Sequence, residues 1–273
     1  DVHAVMRDHA TFSSEVSIRP PEERGAPSML FSDPPVHHRL RKLVSVAFKP
    51  SQIQKQEAQI RARCRALLDA MPTQSEVDLV QAVAAPLPVM VIAEMLGVED
   101  GDMATFKAWS DEIFSNIGEI LFGTASPESE AAAAEMNAYF LQRINHLRRN
   151  PNNHLLGQLV AIETEDGRLD DEELLSFCRL LLIAGNETTT NGIAAGVQLL
   201  IENPEQEQLL RKSPDRMYTF VNEVLRLESP VQGLFRIANE TTEIDGISVP
   251  MGARIMLRYA AANRDGTKYE QPD

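Results

Sequence analysis

The sequence predicts a mainly α fold with one small β-sheet, and three observations carry that prediction. Most of the chain repeats apolar residues at the three-and-four spacing of helices. A proline-free stretch at about 170–203 suits one helix of roughly 30 residues, about 45 Å long. Strand signals gather in a single patch near the end, in TTEIDGISVP and ARIMLRY.

The elements follow in order. In SDPPVHHRLRKLVSVAF, Asp33 can cap a helix and Pro34 suits its first turn, where a missing N–H costs nothing. Val36, Leu40, Leu43, Val44 and Ala47 then form one apolar stripe. A second helix is expected from about Ser51 to Ala70, with Ile53, Ile60, Cys64, Leu67 and Leu68 on one face and Pro72 beyond its end. Pro86 and Pro88 bend or delay any helix in 78–97. Helices are expected around 102–116, 128–149 and 153–163, with a loop rich in Gly, Ser and Pro between the first two. The long helix places Leu174, Cys178, Leu181, Gly185, Thr188, Gly192, Ala195 and Leu199 along one face. A helix of that length is expected to run through the middle of one domain, 1–273. Two shorter helices, 204–211 and 215–227, precede a hairpin turning at Asp245-Gly246 and the strand ARIMLRY.

Composition narrows the function. Hydrophobic residues are 43% and charged residues 24% of the 273, the balance of an ordered soluble protein. No apolar stretch reaches the roughly 18 residues of a membrane span, and the N-terminus lacks the shape of a signal peptide. It begins without Met and in mid-pattern, so residues upstream are expected. A net charge of -14 argues against nucleic acid as a partner. Cys64 and Cys178 make no disulfide scaffold and no metal-type spacing, and a cytoplasmic setting follows.

Several constellations carry chemistry. In LLIAGNETTTN, Ala184 and Gly185 remove bulk from one turn of the long helix, so a ligand can approach the backbone. Glu187 and Thr188 set an acid and an alcohol beside them in an apolar stretch. The Thr188 hydroxyl can bond back to the Ala184 carbonyl and widen the turn, which would then hold water and pass protons. A simple small-residue helix crossing accounts for the same glycine. Glu223 and Arg226 lie three apart and can pair, as many exposed pairs do. His37 and Arg41, one turn apart at the border of their apolar stripe, could clamp a carboxylate. A solvated basic face shared with Arg39 and Lys42 reads equally well. Arg236, in LFRIANE, adds a donor on a strand.

In this order the motifs resemble the cytochrome P-450 family over nearly the whole chain. DPPVHHRLRKLV is similar to the family's propionate-binding helix, which implies that His37 and Arg41 bind the propionates of haem b. AGNETT resembles the oxygen groove of its long helix, implying that Ala184 and Gly185 form the groove and that Glu187 and Thr188 deliver protons. Glu223 and Arg226 match its Glu-x-x-Arg structural pair, and Arg236 falls where a third propionate ligand is usual. AANRD and YEQPD resemble the approach to the haem loop. The loop's cysteine is expected beyond residue 273, the family's first helix and sheet are expected upstream, and Cys64 and Cys178 read as small buried hydrophobes.

The resemblance implies a haem-thiolate monooxygenase using O2, with electrons from a ferredoxin-type partner docking near Arg39, Arg41 and Lys42. Met29, Leu30, Ile117, Phe122, Leu181, Leu234 and Phe235 fall where the family lines its pocket, which implies a hydrophobic small-molecule substrate. Two other readings stand beside it. One is a truncated, non-catalytic remnant or interaction module that cannot ligate iron. The other is a plain helical structural protein, which leaves the ordered motifs unexplained.

Overall fold

Prolines and apolar spacing set most helix boundaries in the computed structural model, which describes residues 1–16, 27–73, 75–115, 126–165 and 167–273. A short helix α1 (Val2–Arg7) leads into strand β1 (Phe12–Ser13). Helix α2 (Val36–Ser45) starts later than the sequence suggests. Its N-cap is Pro35, without a side-chain cap, and the Asp33 carboxylate accepts the Ser14 N–H at 2.8 Å. Helix α3 (Pro50–Asp69) begins on a proline, where the ring's fixed φ suits the first turn. None of its residues is fully buried, and Ile53 and Leu68 of the expected apolar face are exposed. Residues Val80–Ala84 form a π-helical turn, and α4 (Pro86–Leu96) starts at the first of the two prolines, the delayed start expected there.

Helices α5 (Met103–Ser115), α6 (Pro127–Arg149) and α7 (Leu155–Ala161) follow. Ser126 caps α6, accepting the Ser129 N–H, with Glu128 and Glu130 in the first turn and Arg148 and Arg149 in the last. That charge order opposes the helix dipole at both ends. A two-residue hairpin, β2 (Glu163–Thr164) and β3 (Gly167–Arg168), precedes the 32-residue helix α8 (Asp171–Glu202). Then come α9 (Pro204–Lys212), α10 (Met217–Glu228), strands β4 (Leu234–Ala238), β5 (Thr242–Ile244), β6 (Ile247–Val249) and β7 (Arg254–Leu257), and α11 (Tyr259–Ala262).

Contacts divide the chain into two units. The helical unit is Ser14–Ser75 with Pro86–Asn186, and the mixed unit is Asp1–Ser13, Glu76–Ala85 and Glu187–Asp273. The division falls inside α8, just before Glu187. The helical unit has a continuous core in which Leu43, Leu96, Phe106, Phe140, Leu156 and Leu174 are almost fully buried. Each such side chain contributes about 1.5–3 kcal/mol of burial.

The mixed unit pairs β1, β4 and β7 in an antiparallel sheet, with Arg236 opposite Ile255. Its small apolar cluster joins Val5, Phe12 and Leu257. The β5–β6 hairpin turns at Asp245 and Gly246, with φ of 49° and 77°, as a two-residue loop with both central residues left-handed requires. On the last turns of α8, Gly196 lies against Val224 and Phe220 of α10, so a bare backbone lets the two helices approach.

Candidate functional site

Helix α2 carries three faces. Leu40, Leu43, Val44 and Ala47 border the core, His37 is half-buried and Arg41 is exposed. Among the described residues the Arg41 guanidinium forms no ion pair, so its charge is open to an anion. Arg39, one of the three basic residues near which docking is expected, is bound to α8. Its Nη1 and Nη2 donate to Oε1 and Oε2 of Glu173 at 2.5 and 3.3 Å, and Nη2 also donates to the Arg168 carbonyl at 2.8 Å. The fork-to-fork geometry holds Arg39 against α8 instead of presenting it to a partner.

Glu173 was not singled out by sequence reasoning. Its Oε2 accepts the Asp170 N–H at 3.0 Å while Asp170 Oδ1 accepts the Glu173 N–H at 2.8 Å, a reciprocal capping box. The signal was present as Asp-x-x-Glu immediately before an apolar run.

Through residues 184–188, α8 is regular α-helix, so the widened turn expected at Thr188 is corrected to an unbroken one. The physical reason lies in the partners of the neighbouring polar residues. Asn186 donates from Nδ2 to Ser110 Oγ at 2.9 Å, with both groups buried, and Thr190 donates to the Ala84 carbonyl at 3.1 Å. Both are bonds to other elements that fix a turn without opening it, and neither residue was picked out from the sequence. A Cβ on Gly185 would meet Ile92 Cδ1 of α4 at 2.8 Å. A side chain there would require that flexible tip to shift. Ala184 and Glu187 are exposed and Thr188 half-buried, so one stripe of the long helix carries a small residue, an acid and an alcohol.

Glu223 and Arg226 form the expected pair, with Nη2–Oε1 at 2.6 Å and Nε–Oε2 at 2.9 Å. Arg226 is only 11% exposed while Glu223 is 52% exposed. The arginine's Nη1 also donates to the carbonyls of Asn263 and Pro272 at 3.0 and 2.7 Å, and its guanidinium lies 4.9 Å from the Tyr269 ring centroid. These contacts, 37 and 46 residues away, lift the pair above an ordinary surface bridge. The hydrogen bond from Arg226 holds the Glu223 carboxyl below the ordinary carboxylate range, against the opposing effect of burial. Arg236 stands on β4, half-buried, with Nη1 donating to the Phe235 carbonyl at 2.9 Å and no ion pair among the described residues.

Of the expected lining residues, Met29 and Leu181 pack against the helical core, Leu234 is half-buried in β4, and Leu30 and Phe235 are exposed. Ile117 and Phe122 lie outside the described residues. Cys178 is buried, and burial pushes its thiol up to about 12. Cys64 is half-buried on α3.

The family model for cytochrome P-450 matches residues 1–273. The chain belongs to the cytochrome P-450 family. It is 36% identical over 284 residues to cytochrome P-450 109 of Bacillus spizizenii, covering 100% of this chain and 67% of that protein. It is 38% identical over 249 residues to the vitamin D(3) 25-hydroxylase of Pseudonocardia autotrophica, covering 90% of this chain and 60% of that one. The chain thus spans about two thirds or less of the length of these curated relatives. The solved structure of CYP109Q5 from Chondromyces apiculatus superposes with a TM-score of 0.90 at 34% identity, over 100% of this chain and 69% of that one. The mainly α fold with small antiparallel sheets is therefore a partial P-450 fold.

Members of this family bind haem b, and the donor chemistry here fits part of that group. Arg41 on α2 and Arg236 on β4 are each a cation without a carboxylate partner among the described residues, the type of donor a carboxylate takes. The cysteines do not suit the iron. Cys178 is enclosed in the packed helical core, with no face left for a ligand, and Cys64 is half-buried on α3. No helix among the described residues is long and apolar enough to cross a membrane.

Proposed function

We propose that the protein is a haem-dependent monooxygenase that inserts one atom of O2 into a hydrophobic small molecule. One observation carries the reading beyond family membership: an exposed acid, Glu187, and an alcohol, Thr188, adjoin Ala184 midway along the 32-residue helix. Haem, when bound, supplies the dioxygen chemistry, and the protein supplies position and protons. His37, Arg41 and Arg236 bind the propionates, as donors matched to carboxylates. Thr188 holds a proton at its hydroxyl, and the exposed carboxylate of Glu187 takes up protons from solvent and passes them on. Glu223 and Arg226 hold the fold through the Asn263 and Pro272 carbonyls and touch neither cofactor nor substrate in this reading.

The substrate class is supported by the relative whose printed activity is vitamin D(3) 25-hydroxylation. Electrons come from a ferredoxin-type partner docking near the basic side chains of α2, Arg39, Arg41 and Lys42. Residues 1–273 belong to a single functional domain in this reading, supported by one family match across all of them. The working compartment is the cytoplasm.

Thr188→Ala in the haem-loaded protein tests the proton role. Reductant consumption per product formed is expected to rise severalfold, with reduced O2 released as peroxide. Unchanged coupling between reductant and product would remove Thr188 from proton delivery.

A further inference from the structure

Helix α2 is held at one edge of its apolar face by Arg39. With about 100° per residue, His37 and Arg41 lie together at one edge and Arg39 lies about 160–200° away, at the other. Apolar packing of Leu40, Leu43 and Val44 between them buries that face, and its driving force is non-directional. The doubly hydrogen-bonded ion pair from Arg39 to Glu173 is directional. Glu173 is itself fixed, 8% exposed and locked by the capping box with Asp170 at the start of α8.

We infer that Arg39 and Glu173 are a positioning pair that sets the roll of α2, and through it the angle at which His37 and Arg41 meet the cofactor's carboxylates. The inference rests on the haem-binding reading and goes beyond it, because neither residue touches the cofactor. Hydrogen-bonding partners one shell behind a ligand commonly shift affinity by about 10–100-fold when removed.

The pair also gives Arg39 a function that a surface basic patch lacks. Its Nη2 reaches the Arg168 carbonyl as well, so the guanidinium clamps α2 to both sides of the α8 start. Lysine at 39 would keep the charge and lose the fork, so charge alone would not restore the roll.

The test is a double-mutant cycle on hemin affinity, followed by the Soret absorbance of the protein titrated with hemin. Arg39→Gln is the first variant, because that side chain is 35% exposed and its loss leaves the α8 capping box intact. Glu173→Gln is the second, with the amide oxygen kept as an acceptor. Each is expected to weaken hemin binding by about tenfold in the native background and by less than about twofold when Arg41 and His37 are already alanine. Arg39→Lys is expected to behave like Arg39→Gln. Equal losses in both backgrounds would mean a general structural contribution and would overturn the positioning role alone. Failure of the parent protein to take up hemin at all would overturn the haem reading and this inference with it.

Discussion

Glu223 and Arg226 separate what an ion pair contributes from what its arginine contributes. Folding depresses the Glu223 carboxyl, chiefly through the Arg226 hydrogen bond. A carboxyl depressed in this way stabilises the fold at pH above its unfolded value, about 4.3, and the contribution is lost as pH falls through the folded value. Urea stability is therefore expected to show a shallow acid limb below about pH 4 that Glu223→Gln flattens. Because the carboxylate is 52% exposed, solvent screening limits the limb to less than about 1 kcal/mol. Arg226→Ala is expected to cost more, about 1–3 kcal/mol, because it strips partners from the Asn263 and Pro272 carbonyls as well. Equal losses for the two variants across pH would reduce Arg226 to a salt-bridge partner.

At the scale of elements, glycines that look alike in sequence differ in what a side chain would meet. At Gly185 the obstacle is the far methyl of Ile92, a flexible tip, while at Gly233 it is the Leu257 carbonyl of the neighbouring strand. Gly185→Ala is expected to be near neutral, because removing a helical glycine gains about 1 kcal/mol and displacing the methyl costs a similar amount. In an Ile92→Val background, which removes that methyl, the same change is expected to stabilise by about 1 kcal/mol. Gly233→Ala is expected to lose about 2 kcal/mol or more, because backbone must move, and thermal unfolding of the parent and the four variants, Ile92→Val included, checks the order. The long helix, the helices from 36 to 228 and the β5–β6 turn were legible because apolar spacing, proline and Asp-Gly act locally. The start of α2 at Pro35, β1 and the regular turn at Thr188 were not legible, because each is decided by a partner distant in sequence. The Asp33 carboxylate goes to Ser14, Phe12 pairs with Ala238, and the neighbours of Thr188 bond to Ser110 and Ala84. The site followed the same rule. The pairing of Glu223 with Arg226 was legible from their spacing of three, but the engagement of Arg39 by Glu173 depended on a contact 134 residues away.

For the whole molecule, unequal cores predict unequal stability. The helical unit buries large side chains from most of its helices, from Leu43 of α2 to Leu174 of α8, in one cluster. The mixed unit's sheet rests on Val5, Phe12 and Leu257, and α10 has Val224 as its fully buried residue while Met217, Val221 and Leu225 are exposed. Regions with fewer buried apolar contacts open at lower free energy. The single tryptophan, Trp109, is buried in the helical unit, so its fluorescence follows that unit. Far-UV circular dichroism follows both, because α9, α10 and the last turns of α8 belong to the mixed unit. In a urea titration, helical signal is therefore expected to fall before the Trp109 emission shifts, and the two curves should not superimpose. Hydrogen exchange supplies the residue-level counterpart, with amides of α10 exchanging faster than those of α4 and α6. Superimposable transitions, with equal protection in α10 and α4, would show that the smaller cluster is no weaker point and that the chain unfolds as one cooperative body.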